Sequence, residues 1–228
     1  MSISSVNTAP TRRGRGRPKA GADGARVPVP ELLLSAAIEQ FATHGYDAVG
    51  VRQIASHVGV DAAMIVHHFG SKLLLWQAAI DHLSLQMLAA LESQPVDATI
   101  GSNVGERLDQ AVGQIVDMLC DTPALSAFIL REVVLENDRS DYSYERLVKP
   151  IHDRLRPLIV GYAGPQGGVD ADYLFVALTG AVVSTVAARR LFDRMSGEPQ
   201  DDREFRNLLK NTVSAQLAVR VGRISGFA

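Results

Sequence analysis

The amino-acid sequence predicts an all-α protein, with a short three-helix unit followed by a larger helical domain. Apolar residues recur at helical spacing from about residue 30 to residue 223, and we find no alternating pattern typical of a half-buried strand. The composition is 46% hydrophobic and 6% aromatic, as in ordinary globular proteins. With 228 residues, the chain can bury a sizeable core in one or two domains.

Residues 1–29 are predicted to be a disordered basic arm. They are rich in Ser, Thr, Gly, Pro and Arg and have almost no large apolar side chains, so burial cannot offset the entropy cost of ordering. Residues 1–30 carry six basic residues against Asp23 alone, a balance of +5, so a net charge of -2 leaves -7 for the remaining 198 residues. The basic charge is therefore concentrated on the arm.

Four helices are predicted next. The first begins at Pro30, and its apolar stripe consists of Leu34, Ala37, Ile38 and Phe41. Gly45 ends it. A two-turn helix follows, with Val51, Ile54, Ala55 and Val58 on one face, and Gly59 ends it. Asp61 is expected to cap a third short helix that reaches Phe69, and Ser71 to cap a long helix that runs to about Glu92.

The pattern beyond Pro95 stays helical. Five more helices are predicted at about 104–120, 122–136, 141–162, 170–196 and 202–223, with loops at 164–168 and 197–199. We therefore predict two helical domains, a short three-helix domain at residues 30–76 and a larger domain at 77–228.

Gly59-Val60-Asp61 forms a tight turn that joins two short helices, and another helix precedes them in the chain. Glycine permits the reversal, Val60 can fill the space between the helices, and Asp61 can accept from free amides of the next helix. This is the tri-helical arrangement that presents its last short helix to a DNA major groove.

The stretch from about Leu33 to Leu83 contains a specific sequence motif. Its text AAIEQFATHGYDAVGVRQIASHVGVDAAMIVHHFGSKLLL contains A-A-x-x-x-F-A-x-x-G-Y, V-R-x-I-A-x-x-x-G-V and H-H-F-G-S-K in that order. In this order and spacing it resembles the TetR family of bacterial transcriptional regulators. The remaining helical segments fit the family's C-terminal ligand-binding and dimerisation domain without a diagnostic motif.

A single cysteine and the lack of a secretion signal or membrane span favour a cytoplasmic protein. The resemblance implies a homodimer that binds a palindromic site in double-stranded DNA and is released by a small-molecule effector. Carried over by position, the expected DNA contacts are Gly50, Arg52, Ala62, Ala63, Met64, Val66, His67 and Lys72. The chain departs from the family in carrying Met64-Ile65-Val66 where Thr-Leu-Tyr is usual, and Val49-Gly50 where Thr or Ser is usual. Each missing hydroxyl removes a phosphate hydrogen bond worth about 1 kcal/mol, so weaker binding by this domain is expected.

The arm is expected to compensate. Arg15-Gly16-Arg17-Pro18 has the core sequence of an AT-hook, in which two arginines flank a glycine that enters a narrow A·T minor groove, so Arg15 and Arg17 are further DNA-contact candidates. The alternative is a solvated basic tail without specific contacts.

Charged residues inside apolar helices are candidates for an effector pocket. They are Arg131, Glu132 and His152, although ordinary salt bridges explain them equally well.

The last two helical segments carry apolar stripes that serve either as intramolecular core or, by the resemblance, as a four-helix dimer interface. These stripes are Leu174, Leu178, Ala181, Val182 and Thr185, and then Phe205, Leu208, Leu209, Thr212 and Val213.

Other function classes find little support in the sequence. No metal site is expected at His67-His68, because adjacent helical positions diverge, and no cofactor is expected. Cys120 is the only cysteine and is predicted to be a buried small hydrophobe. No segment resembles a secretion signal or membrane span, and no nucleophile elbow, HExxH motif or phosphate loop indicates an enzyme.

Two functions remain. The first is a repressor released by a small molecule; the alternative is a non-responsive architectural regulator that binds DNA by shape. A cavity lined by residues between about 104 and 180 would favour the first, and a solid core the second.

Overall fold

The computed structural model describes residues 27–92, 103–134, 138–163, 168–199 and 201–224, and every regular element within them is helical. The elements are α1 (Val29–His44), α2 (Val51–His57), α3 (Ala63–Phe69), α4 (Lys72–Glu92), α5 (Val104–Asp121), α6 (Pro123–Val134), α7 (Ser140–Ser143), a π-helical segment (Tyr144–Val148), α8 (Lys149–Ala163), α9 (Gly168–Ala187), α10 (Arg189–Ser196) and α11 (Asp202–Ile224). The predicted all-α class is confirmed. Arg15, Arg17 and the rest of the arm up to residue 26 lie outside the described residues, as does most of the predicted loop at 164–168.

The first three helices begin and end close to the predicted residues. The backbone N–H of Gly45, at φ +83°, donates to the carbonyl of Phe41 and ends α1. Ile54 of α2 and Ile65 of α3 are fully buried against α1 and α4. Ile54 and Ile65 thus hold the two short helices in the apolar core.

The larger helices continue the same core. Phe41 of α1 stacks on Phe128 of α6 at 6.2 Å between ring centroids, so α6 packs directly along α1. The buried residues form one cluster from Leu33 to Leu217. The predicted domain boundary between residues 76 and 77 falls inside α4, which contributes to both parts of this cluster.

One predicted helix, 141–162, is interrupted by the π-helical segment. Pro150 lacks an N–H to donate to the residue four positions earlier, and its ring would crowd that carbonyl. The N–H of Lys149 donates instead to Tyr144, five positions earlier. The local widening follows from the proline and was not predicted.

A second predicted helix, 170–196, bends at Ala188 by 66° between α9 and α10. No Gly or Pro marks the bend. It is stabilised by tertiary contacts of Arg189, which pairs with Asp202 at 2.6 Å and lies 4.8 Å from the centroid of Phe205.

The apolar stripes of α9 and α11 are largely intramolecular core. Leu174, Leu178, Val182, Phe205, Leu209 and Val213 are buried within the single chain. Tyr173 and Val176 of α9 and Leu208 of α11 remain exposed. If two copies of the chain pair through these helices, the contact uses this exposed side. Most residues of the predicted stripes are already buried within one chain and take little part in it.

No single helix among the described residues is long and apolar enough to cross a membrane. Two bent pairs, 104–121 with 123–133 and 171–187 with 189–196, reach that length and hydropathy only together, at bends of 105° and 66°.

Candidate nucleic-acid interface

The turn between α2 and α3 is fixed by local hydrogen bonds. Gly59 adopts φ +72°, and the N–H of Val60 donates to Ala55 at 3.0 Å. Asp61 Oδ1 accepts from the N–H of Ala63 at 2.7 Å, as expected of a capping aspartate. These contacts set the direction in which α3 leaves the turn.

The outer face of α3 is exposed and poor in hydrogen-bonding groups. Ile65 faces the core, whereas Ala63, Val66, His67 and His68 face solvent, Val66 with 60% of its surface exposed. His67 and His68 stack edge to face on each other at 4.9 Å, and within the described part of the chain no group of three His, Cys, Asp or Glu side chains could hold a metal ion.

The predicted contact residues fall into two groups. Gly50, Arg52, Ala63, Val66 and His67 are exposed on the same three-helix unit. Ala62, Met64 and Lys72 are partly buried, and the first two pack against the core. The structure therefore leaves Ala62 and Met64 less surface for DNA than their position in the motif indicated.

Lys72 begins α4 beside the end of α3, and its ammonium lies 4.2 Å from the ring centroid of Tyr46. Burial lowers the pKa of Lys72 from its ordinary value, and the Asp47 carboxylate raises it in opposition. Ser71 Oγ accepts from the N–H of Leu74 at 3.1 Å and caps α4 as predicted. Tyr46, part of the matched motif, was not predicted as a site residue.

Polar side chains also link α1 and α2 beside this face. Gln53 donates to Gln40 at 2.9 Å, and His57 lies 3.1 Å from Glu39. These exposed pairs were missed, because the sequence pattern shows apolar faces more clearly than contacts between polar ones. They link α2, the helix that carries Arg52, to α1.

The three predicted effector residues have separate neighbours. Arg131 is exposed and donates to the carbonyl of Thr43 at 3.2 Å. Glu132 is buried beside Arg139, and His152 lies 3.0 Å from Asp172. Their placement matches the salt-bridge alternative, and effector contact by them stays an untested prediction.

An apolar cavity of about 180 Å³ lies elsewhere in the helical domain, and none of those three residues lines it. Its walls come from α4, α6, the π-helical segment, α8 and α9, and include Ile129, Leu147, Phe175 and Gly180. Leu130, Val133 and Val176 line it and are also exposed, so it opens to the surface there. From the sequence we predicted a pocket in this region with charged residues in its lining. The lining of the cavity is instead almost wholly apolar.

Comparisons with known proteins agree with this geometry. Residues 33–79 match the sequence profile described as "Bacterial regulatory proteins, tetR family". The HTH-type transcriptional dual regulator CecR of Shigella flexneri is 28% identical over 203 residues, covering 81% of this chain and 87% of CecR.

Two solved structures share the fold. The fatty acid degradation regulator FadR of Bacillus halodurans superposes with a TM-score of 0.65 at 19% identity, covering 84% of this chain and 95% of FadR. FadR of Bacillus subtilis, solved in complex with stearoyl-CoA, gives a TM-score of 0.62 at 18% identity, covering 82% of this chain and 96% of that one. The sequence-based resemblance is thereby confirmed over the three-helix unit, and the fold over most of the chain.

Proposed function

We propose that this transcriptional regulator, whose residues 33–79 form a DNA-binding domain of the TetR family, is a repressor. It leaves its operator when an apolar molecule binds inside the helical domain. The observation that carries the regulatory part is the apolar cavity between α4, α6, α8 and α9. The relatives compared above are transcriptional regulators, which argues against an enzyme.

We place the DNA contacts on the exposed side of α2, α3 and the start of α4. Arg52, His67 and Lys72 supply the charge or hydrogen bonds for backbone phosphates, and phosphate contacts fix orientation and carry no base identity. Ala63 and Val66 face the major groove, where apolar side chains recognise thymine methyl groups. Recognition then depends on thymine positions and DNA shape more than on hydrogen bonds to bases.

The palindromic operator requires a two-fold dimer. Its recognition helices must lie about 34 Å apart to enter successive major grooves. We assign the dimer contact to the exposed side of α9 and α11, where Tyr173, Val176 and Leu208 leave apolar surface uncovered. Sedimentation equilibrium should give twice the chain mass of 24.6 kDa.

The effector is proposed to be an aliphatic chain. A cavity of about 180 Å³ without a buried charge favours an apolar occupant, and any polar end would have to lie at the mouth beside Leu130 and Val133 of α6. The stearoyl-CoA bound to FadR of Bacillus subtilis is a ligand of this type in a protein of the same fold. A solid core would have favoured the non-responsive architectural alternative.

The test begins with capture of genomic fragments by the tagged full-length protein, followed by sequencing of what binds. We expect the bound fragments to share a palindrome with half-sites about one helical turn apart. Recovery of fragments without a common palindrome would contradict the proposal. Adding fatty acids of increasing chain length to the captured complex should then release it, and failure of every chain length would favour the architectural alternative.

A further inference from the structure

A cluster of aromatic and charged side chains joins the three-helix unit to the rest of the molecule. Arg139, just before α7, lies at its centre, with its guanidinium carbon 4.0 Å from the ring centroid of Tyr46 and 5.6 Å from that of Trp76. Its side chain is only 15% exposed. A planar guanidinium on two aromatic rings is held in place by cation–π attraction and by packing.

Glu132 fixes the other side of this guanidinium. Its side chain is 3% exposed, and its Oε2 lies 3.4 Å from Arg139 Nε. Burial raises the pKa of Glu132, while the charge and hydrogen bond of Arg139 lower it. A buried carboxylate is costly without a partner, so Glu132 ties Arg139 to α6.

Lys72 contacts the same tyrosine from the DNA-binding side. Its ammonium lies 4.2 Å from the Tyr46 centroid. Within the described residues, no carboxylate lies within the 4.0 Å of an ion pair with Lys72. The tyrosine ring therefore restricts a long flexible side chain while leaving its charge for an anion.

We propose that Arg139 is a positioning residue for DNA binding: it fixes the Tyr46 ring, and the ring places the Lys72 ammonium for a backbone phosphate. The inference rests on the proposed phosphate contact of Lys72 and extends the DNA-binding site to a residue of the C-terminal part of the chain. DNA affinity then depends on how α6 and the start of α7 sit against the three-helix unit.

A double-mutant cycle tests this, with fluorescence anisotropy of the full-length protein on a labelled duplex of arbitrary sequence over a series of KCl concentrations. Lys72→Met should weaken binding about tenfold and lower the salt slope by about one per bound protomer. Arg139→Gln should weaken binding about threefold in the natural background and leave binding unchanged in the Lys72→Met background.

Three further variants separate positioning from general damage. Arg146→Gln removes one charge from the same part of the chain, where Arg146 pairs with Asp81 at 2.8 Å, and should leave affinity nearly unchanged. Tyr46→Phe keeps the ring and should preserve binding, whereas Tyr46→Leu should reproduce the Arg139→Gln loss. If Arg139→Gln fails to fold by circular dichroism, Glu132→Gln replaces it in the cycle, with the same dependence on Lys72 expected.

The outcomes distinguish the two proposals. If Arg139→Gln weakens binding equally with and without Lys72, or has no effect, the positioning role is overturned while Lys72 keeps its phosphate contact. If Lys72→Met has no effect, the phosphate contact itself fails. If the natural protein binds no duplex DNA, the proposed function fails as a whole.

Discussion

Val66 on α3 has 60% of its surface exposed, at a position where the TetR family usually carries tyrosine. The sequence shows that hydroxyl groups are missing from this motif, because it aligns position by position with the family pattern; their effect on DNA binding stays a prediction. It also placed Gly59 and Asp61 correctly, since their roles depend on neighbours within a few residues. It could not find Arg139, whose partners Tyr46 and Glu132 are brought together only by the packing of α6 against α1.

Val66→Tyr should tighten binding to duplex DNA. The exposed position accommodates the ring, and the new hydroxyl can donate to a phosphate, a hydrogen bond worth about 1 kcal/mol and so about fivefold in affinity. Val66→Phe adds the ring without the hydroxyl and serves as the control in the same anisotropy titration. Equal affinities for the two variants would refute a role for the hydroxyl.

The helices themselves were predicted well where their ends are marked by local chemistry. Glycines with positive φ end α1 and α2, and Asn103 caps α5 by accepting from the N–H of Glu106 at 2.9 Å. The π-helical segment and the bend at Ala188 were missed. The first arises from a proline inside a helix, and the second from contacts with α11, which periodicity along one helix does not reveal.

Gly59→Ala should destabilise the protein by about 1 kcal/mol, because its left-handed backbone conformation disfavours a Cβ even where space is open. Gly59→Asn should cost less, since asparagine tolerates this conformation. Urea unfolding followed by circular dichroism measures both. Equal destabilisation by the two variants would point to a cause other than backbone strain.

Gly180 on α9 offers a way to close the cavity. A Cβ at this position would meet no heavy atom within 4 Å, and the residue lines the cavity wall. Gly180→Phe should abolish binding of a fluorescent fatty acid while leaving affinity for duplex DNA unchanged, and Gly180→Ala should retain both. Undiminished fatty-acid binding by the Phe variant would place the ligand elsewhere.

At the scale of the whole molecule, charge is divided between a basic first segment and an acidic remainder, +5 for residues 1–30 and -7 for the rest. The all-α class and the order of helices followed from the sequence, because each helix has its own apolar periodicity. How the two parts share one core from Leu33 to Leu217 did not follow, since no pattern along the chain specifies which helix faces pair.

Deletion of residues 1–26 should weaken DNA binding and flatten its salt dependence, by about 0.9 in slope for each phosphate that the arm neutralises. Two double variants that remove equal charge separate sequence-specific from general effects: Arg15→Ala with Arg17→Ala, and Arg12→Ala with Arg13→Ala. The first pair should weaken binding to A·T-rich duplexes more than the second. Identical titrations of the deleted and full-length proteins would contradict any role for the arm.

Trp76 is the only tryptophan of the chain, and it is fully buried between the Tyr46 ring at 6.2 Å and the Tyr142 ring at 5.8 Å, with the Arg139 guanidinium at 5.6 Å. Its emission therefore comes from the junction of α4 with Tyr46 and with the segment that holds Arg139 and Tyr142. A shift of this cation relative to the indole ring should change the emission maximum or intensity. The protein thus carries a built-in optical reporter of its own interdomain junction, readable during titration with DNA or fatty acid without any attached dye.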